Sequence, residues 1–196
     1  MPNLVPKVPA TTWVDAAREA LIDEGIDAVK VDRLAQRLGV TRGGFYHHFA
    51  DHADLLARLL GLWRETVIFV PPGPAPATPA QALAAIDALV ERLITEDGYE
   101  PRFDMAVRAW AHADAAVARV VEEVDTARIA SLQRLFAALG CKPQEARIRA
   151  RVFYFHQIGY YAIGVQESEP QRRRLLGHYL SILCGEENLR AAREAG

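Results

Sequence analysis

The chain has few cysteines, and the two that it has stand far apart. Cys141 and Cys184 form no C-x-x-C pair and no cluster with histidine, which argues against a disulfide framework or a zinc site. Two ordinary thiols in a reducing compartment are the favoured interpretation, and a redox-sensing pair is the alternative.

Long apolar runs are also missing. No stretch approaches the roughly 20 residues that cross a bilayer, and the N-terminus lacks the apolar segment of a signal peptide. We therefore expect a cytoplasmic protein with no membrane partner. With 196 residues, 51% of them hydrophobic, and a net charge of −2, the chain is long enough for two modest domains with their own cores.

Signatures of strands and of enzymes are absent as well. No segment alternates apolar and polar residues as a half-buried strand does, and no hairpin signal appears. The chain contains no G-x-S-x-G elbow, H-E-x-x-H pair, phosphate loop or dinucleotide fingerprint. The sequence thus predicts an all-α protein that is not an enzyme, with no catalytic residue, no cofactor and no metal site.

The most informative segment is residues 31–49, which reads as two short helices joined by a turn. Apolar residues at i, i+3, i+4 and i+7 make one stripe on the first helix. Gly39 follows, where a helix end readily adopts a left-handed residue, and Thr41 is a preferred N-cap for the next helix. This pattern predicts a helix-turn-helix, the motif that places its second helix in a DNA major groove. The stripe consists of Val31, Leu34, Ala35 and Leu38.

Two adjacent glycines, Gly43 and Gly44, lie in the first turn of the second helix. Each costs about 0.8–1 kcal/mol of helix propensity relative to alanine. A helix that approaches a phosphate or a base edge gains room from them, because glycine has no Cβ. We favour this functional interpretation over a tolerated glycine pair in a frayed short helix.

Helices with similar apolar stripes are predicted on both sides of the motif. The first is capped by Thr11 or Thr12 and ends at Gly25. The second is capped by Asp51 or Asp54, and the module ends near residue 64. The apolar residues are Trp13, Ala16, Ala17, Ala20 and Leu21 before the motif, and Leu55, Leu56, Leu59, Leu60 and Trp63 after it.

Charge gives mixed support for binding to DNA. Residues 1–64 hold eight lysines and arginines against eight acidic residues, a net charge of zero. Residues 33–50, however, contain three arginines and two histidines with no carboxylate. The acids of the first helix and its exit are expected to face away from DNA.

These motifs, in this order, resemble the tetracycline-repressor (TetR) family. The resemblance rests on the run 13–25, Leu34-Ala35, the Leu-Gly-Val-Thr turn at 38–41 and the closing Tyr-x-His-Phe of 45–49. It covers about the first third of the chain and implies a dimeric transcriptional regulator, usually a repressor. Residues 1–64 would form the helix-turn-helix DNA-binding domain, and residues 65–196 a helical ligand-binding and dimerisation domain. The implied partners are a roughly palindromic double-stranded operator, a second copy of the chain and an unknown small-molecule effector.

Matching by position implies which residues contact DNA. Phe45 and Phe49 would instead anchor the second helix in the core, and His48 would pack or form a hydrogen bond. The chain departs from the family pattern at Lys30, where Thr or Ser is frequent, and at His52, where lysine is frequent. Lys30 can itself contact phosphate, while histidine is a weaker, pH-sensitive cation. The implied DNA-binding residues are Lys30, Thr41, Arg42, Gly43, Gly44, Tyr46, His47 and His52.

Helical patterns continue after a proline-rich connector at 70–79, which holds five prolines and cannot extend a helix. Further helices are predicted at 83–93, 102–111, 115–139, 144–167 and 171–184. The penultimate one is apolar on more than one side, and such a helix must bury both sides. We therefore expect the last two helices to form the dimer interface that the resemblance implies, with a monomeric core as the alternative.

The predicted effector pocket is apolar with a few polar groups. Arg108 either neutralises an acidic ligand or pairs with Asp104 at i, i+4. An all-helical sensor that does not bind DNA is the alternative function, with His47 and His48 then a surface or metal-binding pair. Adjacent helical residues point about 100° apart, so this pair would chelate one ion poorly. The candidate lining residues are Phe103, Met105, Arg108, Trp110, His112, Phe136, Phe153, His156 and Tyr160.

Overall fold

The computed structural model describes residues 8–194, and over that range its regular structure is entirely helical. The all-α prediction is therefore confirmed. Among the described residues, no helix is both long enough and apolar enough to cross a membrane. The helices are α1 (Ala10–Glu24), α2 (Val31–Leu38), α3 (Arg42–Phe45), α4 (His52–Thr66), α5 (Pro79–Thr95), α6 (Pro101–Ala111), α7 (Ala115–Ala138), α8 (Pro143–Ile163), α9 (Glu169–Cys184) and α10 (Glu186–Glu194).

The described chain divides into two compact units. The first unit contains the residues up to Val67 together with Glu100–Val121, and the second contains Ile68–Tyr99 together with the residues from Glu122 onward. Helix α6 thus belongs to the same unit as the helix-turn-helix. The domain boundary near residue 64 stays a prediction.

The first unit packs α1 against α2, α4 and α6. A buried polar group lies at its centre: Asp104 accepts a hydrogen bond from Nε1 of Trp63 at 2.8 Å and another from Nε of Arg108 at 3.1 Å. Because a buried charge is costly unless it is paired and hydrogen-bonded, these contacts fix α4 against α6. The surrounding apolar core includes Trp13, Ala17, Leu21, Leu34, Leu55, Leu59 and Trp63.

Helix ends follow the predicted signals in two places and depart from them in a third. Gly39 ends α2 in the left-handed conformation, with φ of 64°, and the Asp51 side chain caps α4 by accepting from the Asp54 backbone N–H at 2.8 Å. The predicted cap at Thr11 or Thr12 is wrong. Helix α1 already begins at Ala10, with Pro9 at the cap position and no side-chain capping bond.

Three further expectations about helices need correction. Helix α3 has only four residues, and the chain turns over 46–48 instead of continuing as a helix to Phe49. Helix α8 stops at Ile163 rather than near residue 167, because Gly164 adopts φ of 75° and closes the helix. Helix α10 was not predicted, since its residues are mostly polar and only two of them are buried.

The second unit is built from α5, α8, α9 and α10, with most of α7. The predicted proline-rich connector is confirmed in that no helix covers residues 67–78, and Thr78 then caps α5 by accepting from Gln81 N–H at 3.2 Å. Its core includes Phe69, Ile86, Leu89, Leu93, Leu132, Phe136, Phe153, Tyr154 and Leu189.

Both cysteines are buried, free thiols in the second unit. Burial raises the pKa of Cys184 to about 11 and also raises the pKa of Cys141. Because the thiolate is the reactive form, burial makes both side chains less reactive than a free thiol. This favours the ordinary-thiol interpretation over the redox pair.

Replacing Asp104 tests the buried contact between α4 and α6. We expect Asp104→Ala to lower the free energy of unfolding by about 3 kcal/mol, because Trp63 N–H and the Arg108 guanidinium both lose a buried partner. Urea unfolding followed by tryptophan fluorescence measures the change. Asp15→Ala, at an exposed carboxylate on α1, is the control and should shift stability by less than about 0.5 kcal/mol. An equal effect of the two substitutions would contradict this account.

Candidate nucleic-acid interface

Helix α3 is held in place by buried aromatic rings. A helix of four residues has little stability of its own, but Phe45 at its end is fully buried. The Phe45 ring lies 5.4 Å from that of Trp13, edge to face, and 4.8 Å from that of Phe49, stacked. The sequence-based assignment of Phe45 and Phe49 to the core is therefore confirmed.

A side chain of α4 holds the turn that follows α3. The Arg58 guanidinium donates to the His48 carbonyl at 3.0 Å, pairs with Asp54 and lies 4.7 Å from the centre of the Phe49 ring. Nε2 of His48 lies 2.8 Å from the Val8 carbonyl oxygen, in agreement with the hydrogen-bonding role expected for it. The short helix thus has fixed contacts on both sides.

The opposite side of α3 is open to solvent. Thr41, Arg42, Gly43 and His47 are exposed, Gly44 is half-buried, and the Tyr46 ring is 52% exposed. An exposed tyrosine beside arginine and histidine offers hydrogen-bond donors and a flat apolar surface together. Thr41 occupies the N-cap position as predicted, but its side chain makes no capping hydrogen bond.

Arg42 is positioned by two neighbours. Its Nη2 lies 3.3 Å from the Tyr46 hydroxyl, and its Nη1 lies 3.4 Å from Oδ1 of Asp32 at the start of α2. The hydrogen bond to Tyr46, followed by the charge of Asp32, raises the pKa of Arg42. The guanidinium is therefore fully charged and pre-oriented on the exposed face.

Two other arginines of the carboxylate-free segment are paired with acids from α1. Arg33 lies 2.6 Å from Glu24, and Arg37 lies 3.9 Å from Asp23. The fold brings the end of α1 beside α2 and so places these two carboxylates next to the arginines, while their orientation relative to DNA stays a prediction. Such exposed pairs contribute only about 0–1 kcal/mol.

The two positions where the chain departs from the family pattern have different surroundings. Lys30 is exposed and, among the described residues, has no carboxylate partner. Nε2 of His52 lies 2.6 Å from the Val29 carbonyl oxygen, so this ring links the start of α4 to the chain just before α2. Contact of either residue with phosphate stays a prediction.

Residues 14–59 match the family model of bacterial regulatory proteins of the tetR family. The likeness to the tetR family is therefore shown for this N-terminal segment. The matched residues contain α2, α3 and the exposed face described above. The family match and the helix-turn-helix therefore fall on the same residues.

Two curated relatives match the tetR-family domain and little else. The chain is 39% identical to the transposon Tn10 TetC protein of Escherichia coli over 44 residues, which are 22% of each chain. It is 36% identical to the HTH-type transcriptional regulator SrpR of Pseudomonas putida over 47 residues, 24% of this chain and 22% of that one. The chain thus matches about a fifth of the length of these relatives.

The fold extends the likeness beyond that domain. A transcriptional regulator from Rhodococcus sp. Rha1, known from its crystal structure, superposes with a TM-score of 0.57 over 95% of this chain and 97% of its own, at 18% identity. At that identity the comparison shows a shared fold, and it covers the second unit as well.

The nine candidate effector residues lie in both units. Five are on or just after α6 in the first unit: Phe103 and Trp110 are buried, Met105 and Arg108 are half-buried, and His112 is exposed. The predicted pairing of Arg108 with Asp104 is confirmed at 3.1 Å. An effector contact at these five positions stays a prediction.

In the second unit, the structure brings three of the remaining candidates together. Phe153, His156 and Tyr160 line one cleft, while Phe136 is fully buried with its ring 6.5 Å from that of Phe153. Sequence reasoning missed Gln157 and Arg172, which line the same cleft. A signal for Gln157 was present, since it is a lone amide within the apolar run FYFHQIGYY.

Substitutions at the glycine pair of α3 can test function separately from folding. A Cβ at Gly43 would meet nothing nearer than 3.7 Å, and one at Gly44 nothing nearer than 3.9 Å. Both contacts are ordinary, so the fold itself does not require either glycine. We expect Gly43→Ala and Gly44→Ala to leave the free energy of unfolding unchanged or to raise it by up to about 1 kcal/mol.

The same variants should weaken DNA binding if the lack of a Cβ lets the backbone of α3 come close to the DNA groove. Gly39→Ala is the control for folding, because φ of 64° strains any side chain there, and it should cost about 1 kcal/mol. Chemical denaturation and a DNA-binding titration give the two readouts. Full DNA binding by both alanine variants would favour the frayed-helix interpretation of the pair.

Proposed function

We propose that this tetR-family protein is a sequence-specific DNA-binding transcriptional regulator, a cytoplasmic repressor that a small-molecule ligand releases from its operator. The observation that carries the proposal is the exposed polar face of α3, which a fully buried Phe45 holds in a fixed orientation.

Each exposed residue has a role that its chemistry suits. Arg42 can donate two parallel hydrogen bonds to a guanine edge, the commonest specific contact in the major groove. We propose that Tyr46 and His47 reach phosphates or base edges and that Lys30 reaches phosphate. Thr41 and the two glycines let the backbone approach the groove closely.

A dimer is supported by the second unit, and we propose a second copy of this chain as its partner. Within residues 8–194, the large apolar side chains that are exposed lie, apart from Tyr46, on α8, on α9 or just after α8. They recur at helical spacing, which forms one stripe on each helix, and a two-fold axis pairs such a surface with itself. The two stripes are Ile148, Val152 and Phe155 on α8, and Leu175, Tyr179 and Ile182 on α9.

A two-fold dimer places two copies of α3 on DNA, so the operator we expect is roughly palindromic, with half-sites about one helical turn apart.

The alternative function, a sensor that does not bind DNA, is favoured only by the cleft in the second unit. The DNA-binding titration below decides between the two.

Arg42→Ala and Tyr46→Ala test the proposed interface. We expect each to weaken operator binding by about tenfold or more, because a good base contact contributes roughly 1–3 kcal/mol. Both side chains are exposed, so thermal unfolding should hardly change. Fluorescence anisotropy on duplex DNA from upstream of the protein's own gene, or on sequences selected from genomic DNA, measures the binding at two salt concentrations.

Arg64→Ala provides the matched control, since it removes an exposed arginine of α4 at a position without a proposed DNA contact. A scrambled duplex gives the non-specific level. Binding by Arg42→Ala and Tyr46→Ala that equals wild type, with both variants folded, would show that this helix does not read DNA. Failure of wild type to select any sequence would support the sensor without DNA.

Phe155→Glu tests the proposed dimer. The side chain is 50% exposed on α8, so a charge there costs the isolated chain little, whereas inside an interface it would be buried without a partner. We expect wild type to have twice the 21.7 kDa chain mass in sedimentation equilibrium, and the variant to shift toward one chain mass. Gln144→Glu, an exposed change at the start of the same helix, should not dissociate the dimer. A monomeric wild type would rule the proposed interface out.

A further inference from the structure

A cleft in the second unit contains a buried polar group that lacks a partner. The cleft lies among α5, α8 and α9, and its volume is about 70 Å³. Its walls are mostly aliphatic, so it favours apolar contents. The aliphatic side chains are those of Val90, Leu93, Ile94, Leu176, Leu180 and Leu183.

Gln157 supplies the unpartnered group. Its side chain extends from α8 into the lining of this cleft and is only 8% exposed, yet its Nε2 has no hydrogen-bond partner. Buried N–H groups are almost always paired, because leaving one unpaired is costly. A ligand oxygen in the cleft would accept this hydrogen bond, and an apolar occupant would not.

The charges around the cleft disfavour an anionic ligand. The Arg172 guanidinium is 11% exposed, lies 3.7 Å from the Glu96 carboxylate and donates to the Ile94 carbonyl at 3.2 Å. Its positive charge is therefore already balanced, and Glu167 in the lining adds a negative charge. An anionic ligand would meet no free cation there.

The remaining ionisable side chains of the lining are aromatic. Burial lowers the pKa of His156 and raises that of Tyr160, so both are neutral at neutral pH. The His156 and Tyr179 rings lie 5.0 Å apart. These rings offer flat apolar contact to the body of a ligand in the cleft.

We propose that this cleft binds a neutral, largely apolar molecule through a carbonyl oxygen that accepts a hydrogen bond from Nε2 of Gln157. At about 70 Å³ the cleft is well below the roughly 300–1,000 Å³ of ordinary ligand pockets, so it holds the carbonyl end while the apolar body lies along the rings. The proposal deepens the effector step of the proposed function, because it names the chemical class of the effector.

Four probes of similar shape test the ligand class on the DNA-free protein: acetophenone, ethylbenzene, benzoate and benzylamine. We expect acetophenone to bind about tenfold more tightly than each of the others, the ratio that one ordinary hydrogen bond gives. Titration followed by protein NMR shifts measures each dissociation constant. Because DNA is absent, failure here leaves the DNA-binding proposal untouched, and failure of DNA binding leaves this one untouched.

Gln157→Leu keeps the approximate size of the side chain and removes the donor. We expect it to bind acetophenone and ethylbenzene equally and to melt at a higher temperature than wild type, because an unpaired buried amide is gone. Gln144→Leu, at an exposed glutamine of the same helix, should change neither property. Leu176→Phe, which enlarges a lining side chain of the cleft, should weaken acetophenone binding.

Three results would overturn the proposal. One is a preference for benzoate, benzylamine or ethylbenzene over acetophenone. Another is retention of the acetophenone preference in Gln157→Leu. The third is no binding of any probe together with a lower melting temperature for Gln157→Leu, which would mean that ordered water already satisfies the amide.

Discussion

Burial of Phe45 is the constraint on which the helix-turn-helix depends. Helix α3 has four residues, two of them glycine, and cannot form by its own propensity. The stacked and edge-to-face contacts of Phe45 with Phe49 and Trp13 replace that missing propensity with side-chain packing. Trp13 belongs to α1, so the orientation of the exposed face is set by a helix that does not itself enter the motif.

The sequence predicted the elements of this region well because their signals are local. The apolar stripe of α2, the left-handed Gly39 and the Asp51 cap each involve residues within one helical turn. The surroundings of the charges were not predictable in the same way. Arg33 and Arg37 pair with carboxylates about ten residues away or more, and only the packing of α1 beside α2 brings them together.

In the second unit, too, contacts between distant residues could not be predicted from the sequence, and more of them were missed. Its helices were located from periodicity, although α8 was extended past Gly164 and the polar α10 was missed. Three of the candidate ligand residues do share a cleft, but Gln157 and Arg172 were overlooked. Whether a glutamine within an apolar run is paired or orphaned depends on neighbours from other helices, which a single sequence does not reveal.

The carboxylates beside α2 and α3 act as internal counterions. Asp23, Glu24 and Asp32 already neutralise the three arginines of the exposed region. A polyanion that binds these arginines must replace the carboxylates that pair with them, in addition to free salt ions. The replaced carboxylates remain nearby and repel the polyanion. Random DNA gains little from such an exchange, so the protein would stay largely free of it. Only a surface with well-matched hydrogen-bond partners would recover the loss.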